Sequence, residues 1–325
     1  MGKIIAIALN TFKEAVRNKV LYFLLIFAVI IIAFSTVISD LSIAEPEKLI
    51  KDLGLASIDF FGFLIAVFVG VYLVYNELDR KTIYTIVSKP IDRTQFILGK
   101  FFGLLFTIYV NIAIMAFVLF VVIYFRDVTQ YDVMSKAVWK MNEATQQYVQ
   151  VESTAMYYIK AAGSSIAKSL GTLFGVYTVP LTAGLMKAIM LSALGLAILT
   201  AFAIFYSTFS TPTLSAVFTF LTFVIGSLCE DIMRFADKLA ETAGGVSALA
   251  GAAAIKYWFA RIAVHIVPNL SYFDRRMEAV YGAPDITAAM TGPPLLDWQT
   301  VVYGICYTAA ILCLASLVFR RRSFK

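Results

Sequence analysis

The chain has 325 residues, of which 60% are hydrophobic and only 15% charged, whereas soluble domains carry about 25% charged residues. That deficit, with 27 Phe and 17 Tyr, excludes an ordinary soluble enzyme and indicates a membrane protein. The net charge of +6 does not indicate nucleic acid, because the basic residues cluster beside apolar runs rather than on one polar face.

Residues 3–19 predict an amphipathic helix. Ile5, Leu9, Phe12 and Val16 fall on one face, and Asn10, Lys13, Glu14 and Arg17 on the other. Such a helix lies in the headgroup layer with its lysines near anionic lipid. No small-residue cleavage site follows the first apolar run, so this is not expected to be a signal peptide.

A hydrocarbon core of about 30 Å needs roughly 20 apolar helical residues. Four stretches meet this well: Val20–Ile38, Ile58–Tyr75, Ile97–Tyr124 and Val301–Phe319. Ala188–Phe205 and Leu214–Cys229 add two more, the last behind Pro212, a residue suited to a helix start. The expected fold is therefore an all-α polytopic bundle of six spans. Lysine and arginine set its orientation. Lys3, Lys13, Arg17 and Lys19 put the N-terminus in the cytoplasm, the acidic 39–57 loop lies outside, and the terminal "RRRSFK" is inside. Both termini on one side require an even number of spans. The apolar runs 171–186 and 243–255 are expected to be re-entrant or interfacial; full crossings by both would give eight spans and keep the parity. Residues 126–180 and 230–299 fall outside the membrane on the far side.

Between the second and third spans lies "ELDRKTIYTIVSKPIDRTQFILGK", residues 77–100. Asp79 caps a short helix over 80–88, and Ile83, Ile86 and Val87 share one face of it. Pro90 stops that helix and pushes Lys89 toward extended geometry. Asp92 with Gln95 then forms a variant capping box, from which a second helix runs unbroken into the third span. A plain topology anchor explains the charges but not this order of apolar face, proline and cap.

Other chemistry is missing from the sequence. There is no G-x-x-x-x-G-K-[ST] phosphate loop, no H-E-x-x-H and no G-x-S-x-G. The single histidine, His265, reads as a packed or interfacial residue, and Met186 and Met190 as core filling rather than a soft-metal pair. Cys229, Cys306 and Cys313 make no disulfide framework. The spans show almost no intramembrane charge. Asn111 is the main mid-span polar group, and Ala193, Ala197 and Ala201 are in small-xxx-small spacing for close helix packing. The chain is thus a bundle without its own engine.

The 77–100 stretch resembles a motif of membrane subunits of type-2 ABC exporters, the ABC-2 permeases. It is carried by Glu77, Lys81, Thr82, Ser88, Pro90, Ile91, Arg93, Phe96, Ile97 or Leu98, Gly99 and Lys100, although Gly or Arg is commoner where Lys81 stands. "IAIALNTFKEAVRNKVLY", "YSTFSTPTLSA" at 206–216, "VPNLSYFD" at 267–274 and the final "FRRRSF" resemble the same family. The resemblance implies a non-catalytic permease subunit in the cytoplasmic (inner) membrane of a bacterium or archaeon. It implies pairing with a second permease copy, homodimeric or heterodimeric. No cofactor is expected in the chain itself, since ATP is bound by a separate ATPase subunit. The coupling set it implies is Glu77, Arg80, Thr82, Ile83, Ile86, Val87, Pro90, Asp92 and Arg93, with Arg80 and Arg93 expected to pair with acidic groups of the ATPase or with lipid phosphates. The alternative role is a membrane anchor for a partner ATPase without transport of its own. Re-entrant helices before the last span are also implied.

Overall fold

A computed structural model describes residues 2–41, 46–79, 92–135, 139–142, 147–150, 180–242, 251–281 and 297–321. Helix α1 (Gly2–Val16) is followed after two residues by α2 (Lys19–Leu41). The break is made by Asn18, whose Oδ1 accepts from the Val20 amide at 3.0 Å in the manner of a helix N-cap. Helix α3 runs over Pro46–Asp79, α4 over Arg93–Ser135, α5 over Pro180–Ser207 and α6 over Pro212–Ser227. Three of these begin on proline, at the position where a missing N–H breaks no helical bond. Then come α7 (Cys229–Thr242), α8 (Ala252–Ile266), a 3₁₀ turn at Ser271–Phe273, α9 (Arg276–Tyr281) and α10 (Asp297–Arg321).

Among the described residues, five helices are long and apolar enough to cross a bilayer, and α6 with α7 forms a sixth span if that pair, bent by 58°, crosses as one. The architecture is an all-α polytopic membrane protein. Helices α3 and α5 form its centre, with 72% and 78% of their apolar windows buried. Helices α2, α4, α6 and α10 pack around them. Helix α2 turns Leu21, Leu24, Ala28 and Ile32 inward and leaves Phe23, Ile26, Phe27, Ile30 and Phe34 exposed, the one-sided pattern of a helix whose other face meets lipid.

Several boundaries differ from the sequence expectation. The 39–57 segment is largely helix, not loop: α3 starts at Pro46. Its first turns carry an i,i+4 pair, Glu47 with Lys51 at 3.7 Å, and bury Ile50 and Leu55, so the acidic residues decorate a helix with an apolar inner face. Helix α4 begins at Arg93 and continues past the expected end at Tyr124 to Ser135. An ion pair between Arg126 and Asp40 ties its far part to the end of α2. Beyond it, Trp139–Asn142 and Gln147–Gln150 pair as an antiparallel hairpin, with Trp139 opposite Gln150. The fourth span joins 180–187 into one helix, while 171–179 lies outside the described residues. The fifth stops at Ser227 instead of Cys229 and turns at Leu228.

Helices α7 and α8 pack on each other through Ala236, Tyr257 and Ala260, with Arg261 paired to Asp237 at 3.1 Å. Of the expected 243–255 run, 243–250 lies outside the described residues, and 252–255 opens α8, a helix of 15 residues. Its exposed stripe is Ile255, Trp258, Phe259, Ile262 and Ile266.

Candidate functional site

Helices α1, α4 and α10 meet where the basic residues gather, and this basic end holds the start of the expected coupling motif. Arg80, Thr82, Ile83, Ile86, Val87 and Pro90 lie outside the described residues, with the 80–88 helix. Glu77 lies in the last turns of α3, two residues before its end at Asp79. Asp92 immediately precedes α4, and its carbonyl accepts the first helical bond from the Phe96 amide at 3.1 Å. The expected capping box is not completed: Gln95 Oε1 is buried without a hydrogen-bond partner among the described residues, so it does not reach back to the Asp92 amide.

Arg93 makes contacts within the chain. Its Nη1 donates to the carbonyls of Phe319 and Arg320, both at 3.1 Å, at the end of α10. Its guanidinium lies over the Phe319 ring at 6.0 Å, and Phe96, one turn further along α4, stacks on the same ring at 6.0 Å with 15° between planes. The side chain is engaged inside the chain, because the last carbonyls of a helix lack intrahelical donors and carry the negative end of its dipole.

Gly99 and Gly103 lie four apart on α4 and receive α1. A Cβ on Gly99 would stand 2.7 Å from Ile7 Cβ, and one on Gly103 would stand 2.6 Å from the Ala8 carbonyl oxygen. Only glycine lets the two backbones come this close. Lys100, buried in the same turn, has its Nζ 3.7 Å from Glu14 and 5.9 Å from the Phe96 ring. Arg93 and Phe96 of "RTQFILGK" therefore have partners on α10, and Gly99 and Lys100 on α1.

The stripe expected on α1 divides, its first half turned away from the bundle and its second half partly against it. Ile5 and Leu9 are more than half exposed, while Thr11 and Ala15 are fully buried against the rest of the chain. Phe12 is half-buried, edge-on to Phe106 at 4.7 Å, and Val16 is also half-buried. One face of α1 thus meets α4, and Ile5 and Leu9 on the neighbouring face stay exposed.

At the opposite end the sequence reading missed a charged cluster. Asp59 lies inside the span of α3, not at its mouth, because that helix starts twelve residues before the expected Ile58. Arg276 of α9 stands 3.7 Å from Asp59 and donates to Asp274 at 2.6 Å. Lys187 of α5 pairs with Glu278 at 2.8 Å. Burial by itself would raise the Asp274 carboxyl, but the Arg276 hydrogen bonds and charge overcome it and hold it below its ordinary value. The 267–274 stretch leading into this cluster is fastened by backbone bonds. The Leu270 amide donates to the Gly226 carbonyl at 3.0 Å, and the Asn269 amide to the Tyr303 hydroxyl at 3.0 Å. A Cβ on Gly226 would meet the Pro268 carbonyl oxygen at 2.8 Å.

Residues 5–324 match the family model described as ABC-2 family transporter protein. The chain belongs to the ABC-2 transporter family. No curated protein matches it. Family membership covers the whole bundle, both the α1–α4–α10 joint and the charged cluster at the other end. It makes the chain the membrane part of an ABC transporter, a multi-pass protein that works with an ABC ATPase. The ABC-2 motif residues Phe96, Gly99 and Lys100 are packing residues of this joint. Gly103 and Phe319 share that role, and the sequence reading missed both. The four-residue spacing in "GKFFG" was the available signal for Gly103.

Proposed function

We propose that this ABC-2 protein is the permease subunit of an ATP-driven exporter, forming a transmembrane pathway with a second permease copy. The basic end faces the cytoplasm, with both termini there, and a separate ATPase subunit docks on it. The observation that carries this reading is the way α4 starts. Between Asp79 and Arg93 the chain leaves the central span α3 and re-enters as α4, and the re-entering helix is at once packed on α1 and bonded to α10. A push on the intervening segment therefore acts on a stiff helix and not on a slack loop.

In this reading Ile83, Ile86 and Val87 insert into a groove of the ATPase, Arg80 pairs with its acidic residues, and Glu77, Thr82, Pro90 and Asp92 shape the segment that carries them. Ile5 and Leu9 of α1 rest in the inner leaflet. Apolar anchors in a groove dominate such interfaces, and a carboxylate forced into the groove costs binding. The double substitution Ile83→Asp with Ile86→Asp is expected to reduce co-purification of the ATPase from detergent at least about tenfold. Unchanged co-purification would refute the docking role.

A further inference from the structure

We infer that α10 is a second receiver of the coupling stroke, moving with α4 as one body through Arg93 and carrying the motion to the 267–281 segment at the opposite end. This rests on the coupling reading above and adds a path that the 77–100 motif does not itself contain.

Arg93 is locally misplaced. It occupies the first turn of α4, where the positive end of the helix dipole disfavours a cation. Its guanidinium instead reaches the last turn of α10, where the dipole favours it and two carbonyls accept from it at 3.1 Å each. These two bonds form only while the start of α4 and the end of α10 stay together. The apolar half of the joint uses the same partner: Phe96 and Phe319 are both buried and stacked. A planar guanidinium that bonds two carbonyls and lies over a ring fixes direction as well as distance, which an ammonium does not.

The other half of α10 holds the far-end segment. The Tyr303 hydroxyl accepts from the Asn269 amide at 3.0 Å, and the Tyr307 hydroxyl donates to the Ile266 carbonyl at 3.0 Å. Phe273 lies buried beside Tyr303, with ring centres 6.2 Å apart. From there Arg276 and Glu278 reach Asp59 on α3 and Lys187 on α5. A displacement of the α4 start is therefore passed along one rigid helix to the group of residues that closes the bundle at its other end. Arg93 is a positioning residue in this path.

The test uses the full permease with its ATPase in lipid vesicles, with Cys229, Cys306 and Cys313 replaced and spin labels placed at exposed positions. One pair is Phe102 with Leu314, reporting α4 against α10; the other is Leu221 with Leu314, reporting α6 against α10. In the native joint, exchange of ADP for a non-hydrolysable ATP analogue is expected to shift the α6–α10 distance and leave α4–α10 unchanged within about 1 Å. In Arg93→Lys, which keeps the charge and loses the planar group over Phe319, and in Arg93→Ala, the α4–α10 distance is expected to become nucleotide-dependent while the ATPase still co-purifies. The inference is overturned if α4–α10 shifts in the native complex as much as α6–α10, or if Arg93→Lys leaves both distances as in the native protein. Loss of the ATPase from Arg93→Lys would make Arg93 a docking residue and overturn it as well. Failure of the native chain to retain any ATPase would refute the coupling reading itself, and this inference with it.

Discussion

At the basic end, α1 lies on Gly99 and Gly103 almost backbone to backbone, and one guanidinium bonds α4 to α10. At the opposite end, the 267–281 segment is held to α3, α5 and α10 by ion pairs, tyrosine hydroxyls and one buried phenylalanine. The first leans mainly on close backbone approach and the second mainly on ion pairs. Shape does not change when solvent or nucleotide changes, which suits a part that must transmit force. Charge pairs can be exchanged for water or for other charges, which suits a part that must open and close.

Substitutions break this contrast to different degrees. Arg276→Ala removes an ionic partner shared by Asp59, inside a span, and Asp274, and is expected to destabilise the protein by about 2–3 kcal/mol, less than a fully buried pair would lose because Arg276 is partly exposed. Adding Asp59→Asn should recover part of that loss, since the carboxylate inside the span is then gone while Asp274 still lacks Arg276; thermal unfolding in detergent of the single and double variants checks both. Gly103→Val drives a side chain toward the Ala8 carbonyl oxygen, and is expected to cost about 1–3 kcal/mol and to expose α1 to protease. The digestion pattern of the N-terminal region measures it directly. Lys187→Met touches a pair whose two side chains are each about a third exposed, and should change the unfolding temperature by less than about 1 kcal/mol would.

The smallest effect is that of pH. Asp274 is held below its ordinary value by Arg276, so its contribution is complete above the unfolded carboxylate range of about 4 and is lost only as pH falls through the lower folded value. In an Asp59→Asn background, labelling of a cysteine placed at Met277, expressed per thiolate, should therefore be flat from neutral pH down to about 5, with the 267–281 contacts loosening only below the ordinary carboxylate range. Labelling that rises near neutral pH would contradict the charge assignment.

The spans were legible because lipid demands long apolar helices, and α2, α4, α5 and α10 fall over the apolar runs that announced them. Asp59 was not legible, because its depth depends on where α3 begins, and the amphipathic turns from Pro46 to Ser57 carry enough charge to pass for a loop. The α1 stripe was visible from its period. Its direction was not, since periodicity separates two faces without saying which one the protein keeps. Arg93 is a similar case. A basic residue beside a membrane span reads as a topology signal, and only the fold brings the last carbonyls of α10 within its reach. Gln95 was misread for the opposite reason: the capping spacing is present in sequence, but its side-chain oxygen is buried away from the cap.

The bend at Leu228 has a consequence for how the protein is made. A helix that turns inside or beside hydrocarbon uncovers backbone carbonyls, and here the Gly226 carbonyl is satisfied by the Leu270 amide, 44 residues later in the chain. Synthesis runs from the N-terminus, so when α6 and α7 first reach the bilayer their permanent partner does not yet exist. The bend is thus settled late. Until Leu270 arrives, the Gly226 carbonyl needs another donor, so the finished form of the bend waits on a segment that follows it.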